Sequence, residues 1–317
     1  MEFNLVNFCE IDKYAERSYC AIHNVNPNKN LGDICKVDID NLPIDVDLIT
    51  HGSPCVSFSK AGLRLGGDRG SGTPSSLMWN SVEIIRHCNP KFIIWENVSN
   101  VLSKQHKHNF DEYINELKNM GYNSYYKVMN SKNYGWPQNR DRIFVLSVRE
   151  DVDCVADRGF EFPIESPLIT KLPDLLESNP DDKYYLTEIQ KVRFKTTTYE
   201  QNRRIIQYKD WCDTLCARDF KDPKCVDVEG EKGPRRMTPL EYWRVMNFSD
   251  EDFEKAVSAG NSNTQLYKQA GNAIVLCVIK QVMEKMKEQY PNDFKDGLNY
   301  LSLFSGVGTF EMALKSI

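Results

Sequence analysis

Apolar and polar positions along the chain fall into two alternating rhythms. Short runs at Phe3–Phe8, Val46–Thr50, Phe92–Trp95, Ile143–Val148 and Leu298–Phe304 have strand length and β-branched or aromatic content. Between them, Lys13–Ile22, Leu77–His87 and Asn109–Met120 space apolar residues at helical intervals. This alternation predicts an α/β fold, a mostly parallel sheet with helices on both faces. Functional groups in such folds gather at the carboxyl ends of strands. The rhythm breaks after Glu150, where Pro163, Pro167, Pro173 and Pro180 interrupt any long element. A different module follows to about Gly233, and helical spacing returns in Pro239–Met246 and Ala273–Glu288.

Composition changes this picture little. The 317 residues suffice for one large domain and a smaller module. No window approaches the roughly 18 consecutive apolar residues of a membrane span, so no membrane partner is expected. The first residues carry acids and no long apolar core, unlike a signal peptide. Ten cysteines are scattered without the spacing of a zinc site or a disulfide framework, which favours reduced thiols, a cytoplasmic location and no metal.

Charge is more informative in its distribution than in its sum. A formal net charge of −5 argues weakly against a nucleic-acid partner. Ile189–Trp211, however, holds six basic residues against two acidic ones, interleaved with Phe194, Tyr199, Tyr208 and Trp211. Arg193, Arg203 and Arg204 are therefore candidate nucleic-acid contacts. Taken alone, the stretch reads more economically as a solvated surface.

Near the C-terminus, Leu298–Phe304 runs into Ser305-Gly306-Val307-Gly308 and then a helical pattern. Glycines let backbone approach a ligand, and the new helix offers free N–H groups. Such a site needs an acid about 20 positions further on, at the end of the next strand. The chain stops at Ile317, yet Glu10 ends the strand Phe3–Phe8 at the other terminus. Joining Ile317 to Met1 meets the spacing, so a circular permutation is expected, with the two ends close together.

Three further groups carry chemistry. Gly52-Ser53-Pro54-Cys55 follows a strand, and a cysteine on such a loop is a better candidate nucleophile than a core thiol. Glu96 in Trp95-Glu96-Asn97-Val98 is read as the end of a buried strand, where a carboxyl shielded from water shares a proton with a bound base. Gln138-Asn139-Arg140-Asp141-Arg142 opens another strand, whose alternation would point Arg140 and Arg142 to one side to bind anions or orient Glu96.

Together these residues resemble the cytosine-C5 DNA methyltransferase family. Its proline–cysteine motif matches Pro54-Cys55, its glutamate–asparagine–valine motif Glu96-Asn97-Val98, and its glutamine–arginine–arginine motif Gln138, Arg140 and Arg142. Arg236-Met237-Thr238-Pro239 with Glu241, Gln269-Ala270-Gly271-Asn272-Ala273, and Phe304-Ser305-Gly306-Val307-Gly308 complete the set in a rotated order. Departures are Ala273, where many relatives have serine, and Ile11, where some carry an aromatic residue.

The resemblance implies a Rossmann-like S-adenosylmethionine-dependent methyltransferase sheet, circularly permuted, with a small target recognition domain. Residues 1–182 and 234–317 would form the catalytic domain, 183–233 the recognition domain, and about 285–297 the permutation linker. Cys55, Glu96, Arg140 and Arg142 would be catalytic. Phe304, Gly306, Gly308, Glu10, Ile11, Asp33, Ile34, Pro54, Leu77 and Asn272 would hold S-adenosylmethionine, leaving S-adenosylhomocysteine as product. Ser57–Thr73, with Ser57, Arg64 and Arg69, would close as a lid on double-stranded DNA. The expected enzyme is a monomer of bacterial or phage origin, in a setting that admits a cognate restriction endonuclease. A tRNA cytosine methyltransferase and an inert DNA-binding relative are the alternatives.

Overall fold

The computed structural model describes residues 2–58, 65–196, 205–207, 210–228 and 232–317, with backbone alone at 193–196 and 205–207. Met1 and the side chains of Arg64, Arg193, Arg203 and Arg204 thus lie outside the described residues. In chain order the strands are β1 (Phe3–Cys9), β2 (Leu48–His51), β3 (Phe92–Val98), β4 (Tyr122–Asn130), β5 (Gln138–Asn139), β6 (Asp141–Arg149), β7 (Ile205–Gln207), β8 (Cys212–Asp213), β9 (Cys225–Asp227), β10 (Arg235–Arg236) and β11 (Leu298–Leu303). Two compact units result, one of residues 1–129, 141–164 and 278–317, the other of 130–140 and 165–277.

The first unit is built on a sheet of order β1-β11-β2-β3-β6-β4. β1, β11, β2 and β3 run parallel, and β6 returns antiparallel to β3. The last strand of the sequence thus lies between the first and the second. Alternation along β3 fills both faces. Helix α1 spans Lys13–His23, and Ile93 and Trp95 enter a core with Met78, Val82 and Ile85 of helix α2 (Met78–Cys88) and Phe110, Tyr113 and Leu117 of helix α3 (Lys107–Asn119). Phe92 points the other way, its ring 5.3 Å from Tyr290 and 5.7 Å from Phe294. Burying each such side chain contributes about 1.5–3 kcal/mol. Helix α2 stops at Asn89, whose left-handed backbone and following Pro90 cannot continue it.

The second unit contains the sheet β10-β9-β7, the pair β5-β8, and helices at Pro239–Val245, Asp250–Ser258 and Asn263–Asn272. Thr238 caps the first of these helices, Pro239 opens it, and Glu241 closes the capping box. The Glu241 carboxylate also accepts two bonds from the wholly buried Arg235 guanidinium, at 2.8 and 2.9 Å. Segment 183–233 shares this unit with 165–182 and 234–277.

β4 and the helix Asn263–Asn272 escape a reading by pattern. The strand alternates irregularly, with Tyr126 and Val128 exposed, and the helix buries only a few apolar residues beside Gly271. Among the described residues no helix is long and apolar enough to cross a membrane, and no His/Cys/Asp/Glu group could hold a metal ion.

Candidate active site

The cysteine loop leaves the carboxyl end of β2 and is braced from below. Ser53 Oγ accepts hydrogen bonds from Trp95 Nε1 (3.1 Å) and Asn97 Nδ2 (3.3 Å), and Asn97 Nδ2 also reaches Ser53 O at 3.1 Å. Ser75 Oγ donates to the Pro54 carbonyl at 2.7 Å and accepts from Ser57 N at 3.1 Å. Cys55 is half-buried on this loop. Burial pushes the thiols of Cys9, Cys212 and Cys277 up to about 12 and that of Cys88 up to about 11, so those sulfurs are poor sources of thiolate.

Glu96 lies inside β3 rather than at its end, because pairing with β6 continues to Val98. Its Oε1 is 2.9 Å from Arg142 Nε, with the side chains only 11% and 15% exposed. Its Oε2 is 3.7 Å from where a Cβ on Gly52 would stand, which sets the carboxylate against the backbone of the cysteine loop. A carboxylate held this way keeps a fixed direction.

Arg140 does not point with Arg142. The strand predicted to carry both is broken, β5 ending at Asn139 and β6 beginning at Asp141. Arg140 belongs to the second unit and is 3% exposed. It donates to the carbonyls of Leu215 (2.7 Å), Gly271 (3.1 Å) and Ala273 (2.8 Å). Gly271 is demanded by close approach, since a Cβ there would fall 2.3 Å from the backbone of Cys216 and Ala217. Asn272, next to it, is exposed at the end of its helix.

At the seam of β1 and β11, Glu10 Oε2 accepts from Gly306 N at 2.8 Å and its Oε1 from Asp12 N at 2.7 Å. Burial raises this carboxyl above its usual range, against the lowering effect of those amides. Phe304 holds a left-handed φ of 55°, uncommon for a bulky residue, as the chain turns off the strand. The two glycines differ. Space in front of Gly306 is open, whereas a Cβ on Gly308 would meet His23 Nε2 at 2.0 Å, so Gly308 makes room for an imidazole of this chain. His23 Nε2 also lies 3.0 Å from the Val307 carbonyl. Asp33 caps the turn Ile34–Lys36 through Cys35 N, Ile34 is buried, Leu77 packs partly buried on the core, and Ile11 is 73% exposed.

Two expected nucleic-acid contacts are occupied otherwise. Ser57 is buried, 2% exposed, beneath Ser75. Arg69 lies 3.2 Å from Glu83, 3.3 Å from Glu116 and 3.9 Å from Glu112, above the Trp79 ring at 4.5 Å. Its charge is answered by carboxylates of α2 and α3. Asn109 and Trp79 likewise hold Gly67, so residues 65–73 dock on these helices. The bracing roles of Ser53, Asn97 and His23 have no signal in spacing; Asn97 is marked only by its place in the glutamate–asparagine–valine motif.

The model of the family described as C-5 cytosine-specific DNA methylase matches residues 1–288. The type II methyltransferase M2.ScrFI of Lactococcus lactis subsp. cremoris is 36% identical over 266 residues, covering 82% of this chain and 71% of that protein. The orphan methyltransferase M.SPRI of Bacillus phage SPR is 28% identical over 413 residues, covering 92% and 93%. The S. pombe Dnmt2 methyltransferase structure is similar in fold, with a TM-score of 0.68 at 19% identity over 92% of both chains. The chain belongs to the C-5 cytosine-specific DNA methylase family. It is a DNA (cytosine-5-)-methyltransferase, in a family that is S-adenosylmethionine-dependent and includes restriction–modification enzymes.

Proposed function

We propose that Cys55 attacks C6 of a cytosine flipped from duplex DNA, with Glu96 and Arg142 stabilising the ring as C5 becomes nucleophilic. The observation that carries this reading is the Glu96 carboxylate, fixed by Arg142 at 2.9 Å and set against Gly52 of the cysteine loop. C5 of cytosine is a poor nucleophile until a thiolate adds at C6. Glu96 hydrogen-bonds N3 and the exocyclic amine as charge builds there. The electron pair released to C5 forms the new carbon–carbon bond, the C5 proton leaves, and expulsion of Cys55 restores the ring. Flipping the base costs a few kcal/mol.

The residues at the β1–β11 seam suit an adenosyl group. Open space before Gly306 adjoins the Glu10 carboxyl, which would take the ribose hydroxyls. Phe304, Ile11, Ile34 and Leu77 would offer apolar contacts to the adenine, Asp33 its amine, and Pro54 would lie toward the methionine end. S-adenosylmethionine supplies an electrophilic methyl group on a sulfonium when bound. A permuted order of the family's elements is supported by the family match ending at residue 288, with β11 and the helix Thr309–Lys315 beyond it and β11 paired beside β1. The second unit, with 183–233 in it, would read the target sequence, acting in a bacterial cytoplasm alongside a restriction endonuclease where one exists.

Bisulfite sequencing of a plasmid incubated with the protein and S-adenosylmethionine tests this. Protected cytosines in one sequence context are expected. Methyl transfer confined to tRNA, or none to either substrate, overturns it.

A further inference from the structure

We propose that Arg218, Lys221 and Lys268 form a docking surface for the phosphate backbone of duplex DNA, within the second unit. This rests on the reading of the protein as a DNA methyltransferase and adds a contact surface to it. The short 3-10 helix Ala217–Lys221 places Arg218 and Lys221 three residues apart, hence on one face. Lys268 comes from the helix Asn263–Asn272. The ammonium groups of Lys221 and Lys268 lie 5.9 and 5.0 Å from the centre of one ring, Phe220, so both flank a single side chain, and Arg218 shares the helix face of Lys221.

Crowding like charges costs free energy unless an anion answers them, and here the neighbouring carboxylates are used elsewhere. Asp219 turns inward, accepting from Cys216 N at 3.0 Å and Tyr242 Oη at 3.2 Å. Asp222 stands 4.0 Å from Arg236. Asn263–Asn272 contains no acid. Among the described residues, no ion pair engages Arg218, Lys221 or Lys268. Arg69 differs in this respect, with three glutamates around it.

The surface is also rigidly mounted. The backbone of Cys216 and Ala217 packs against Gly271, and Arg140 ties the Leu215 carbonyl to those of Gly271 and Ala273. A phosphate dock with fixed spacing would position the duplex before any base is read.

The test is fluorescence anisotropy of the full-length protein with a labelled duplex of about 30 base pairs between 50 and 200 mM salt. Each neutralised phosphate contributes about 0.9 to the slope of log K against log salt. R218A, K221A and K268A should each flatten the slope by about 0.9, and the triple variant by about 2.7. K295A, an exposed change in the first unit, should leave it unaltered. Thermal melts within a degree or so of wild type would show the variants folded. Slopes unchanged in a protein that still binds and methylates duplex DNA overturn the surface alone. A wild type that methylates no duplex overturns the underlying reading. Slopes that fall only with tRNA assign the surface to RNA and overturn the proposal.

Discussion

Arg142 and Arg140 stand two positions apart and do different work. Arg142 meets a carboxylate, Glu96, in the first unit, with both side chains nearly buried. Arg140 meets backbone carbonyls in the second unit, where two chain segments converge on one guanidinium. One arginine fixes a carboxylate, and the other ties together backbone carbonyls. Residue type and motif membership do not separate the two roles; the partner does.

The largest expected effect lies on the chemical side. Cys55→Ala should lower turnover by about 10⁴-fold or more, while S-adenosylmethionine binding by calorimetry and the melting temperature stay near wild type. Retained turnover would falsify the assignment of the nucleophile.

Next come the arginines themselves, substituted identically. Arg142→Met should reduce turnover by about 10²-fold, since one charged donor behind the reacting ring is lost. It should also destabilise, by about 3–5 kcal/mol, because the nearly buried Glu96 carboxylate loses its counter-charge. Arg140→Met strands three buried carbonyls and should destabilise by about 2–4 kcal/mol in urea unfolding. If Arg140→Met leaves stability intact and costs only activity, the contrast drawn between the two residues is wrong.

Much of the first unit was legible because its signals are local. Strand runs such as Phe92–Trp95 are apolar on both faces, and Asn89-Pro90 marks a helix end within a few residues. Motif order also placed Glu10 beside Gly306, which the hydrogen bond at 2.8 Å bears out as geometry. What was hidden depends on partners far away in sequence. Gly308 reads as a ligand-facing glycine until His23 is seen against it, and Arg69 reads as a phosphate ligand until Glu83, Glu112 and Glu116 surround it. The alternation argument for Arg140 assumed an unbroken strand, and a single break at that residue reversed its meaning. Arg218 and Lys268 lie outside the basic run at Ile189–Trp211, so no windowed count of charge would join them.

Acid should act on the first unit, because the cysteine loop follows a buried neutral base. His51, the last residue of β2, is fully buried, bonded through Nε2 to Tyr113 Oη at 2.8 Å, and stacked near Trp95. Burial pushes its pKa from 6.5 down to about 3. A depressed folded value means that the unfolded chain takes up a proton first as pH falls below 6.5. Stability is therefore complete above that pH and declines toward pH 3, by about 2 kcal/mol at pH 5. Glu311, raised by burial, acts in the opposite direction, its stabilisation being present at low pH and lost as pH rises through its folded value. The difference between wild type and His51→Gln cancels that contribution. Glutamine does not titrate, so urea unfolding should show this difference falling by about 2 kcal/mol between pH 7 and 5. A difference independent of pH would mean that His51 is not held neutral in the fold, and that the loop above it is not the acid-sensitive part of the molecule.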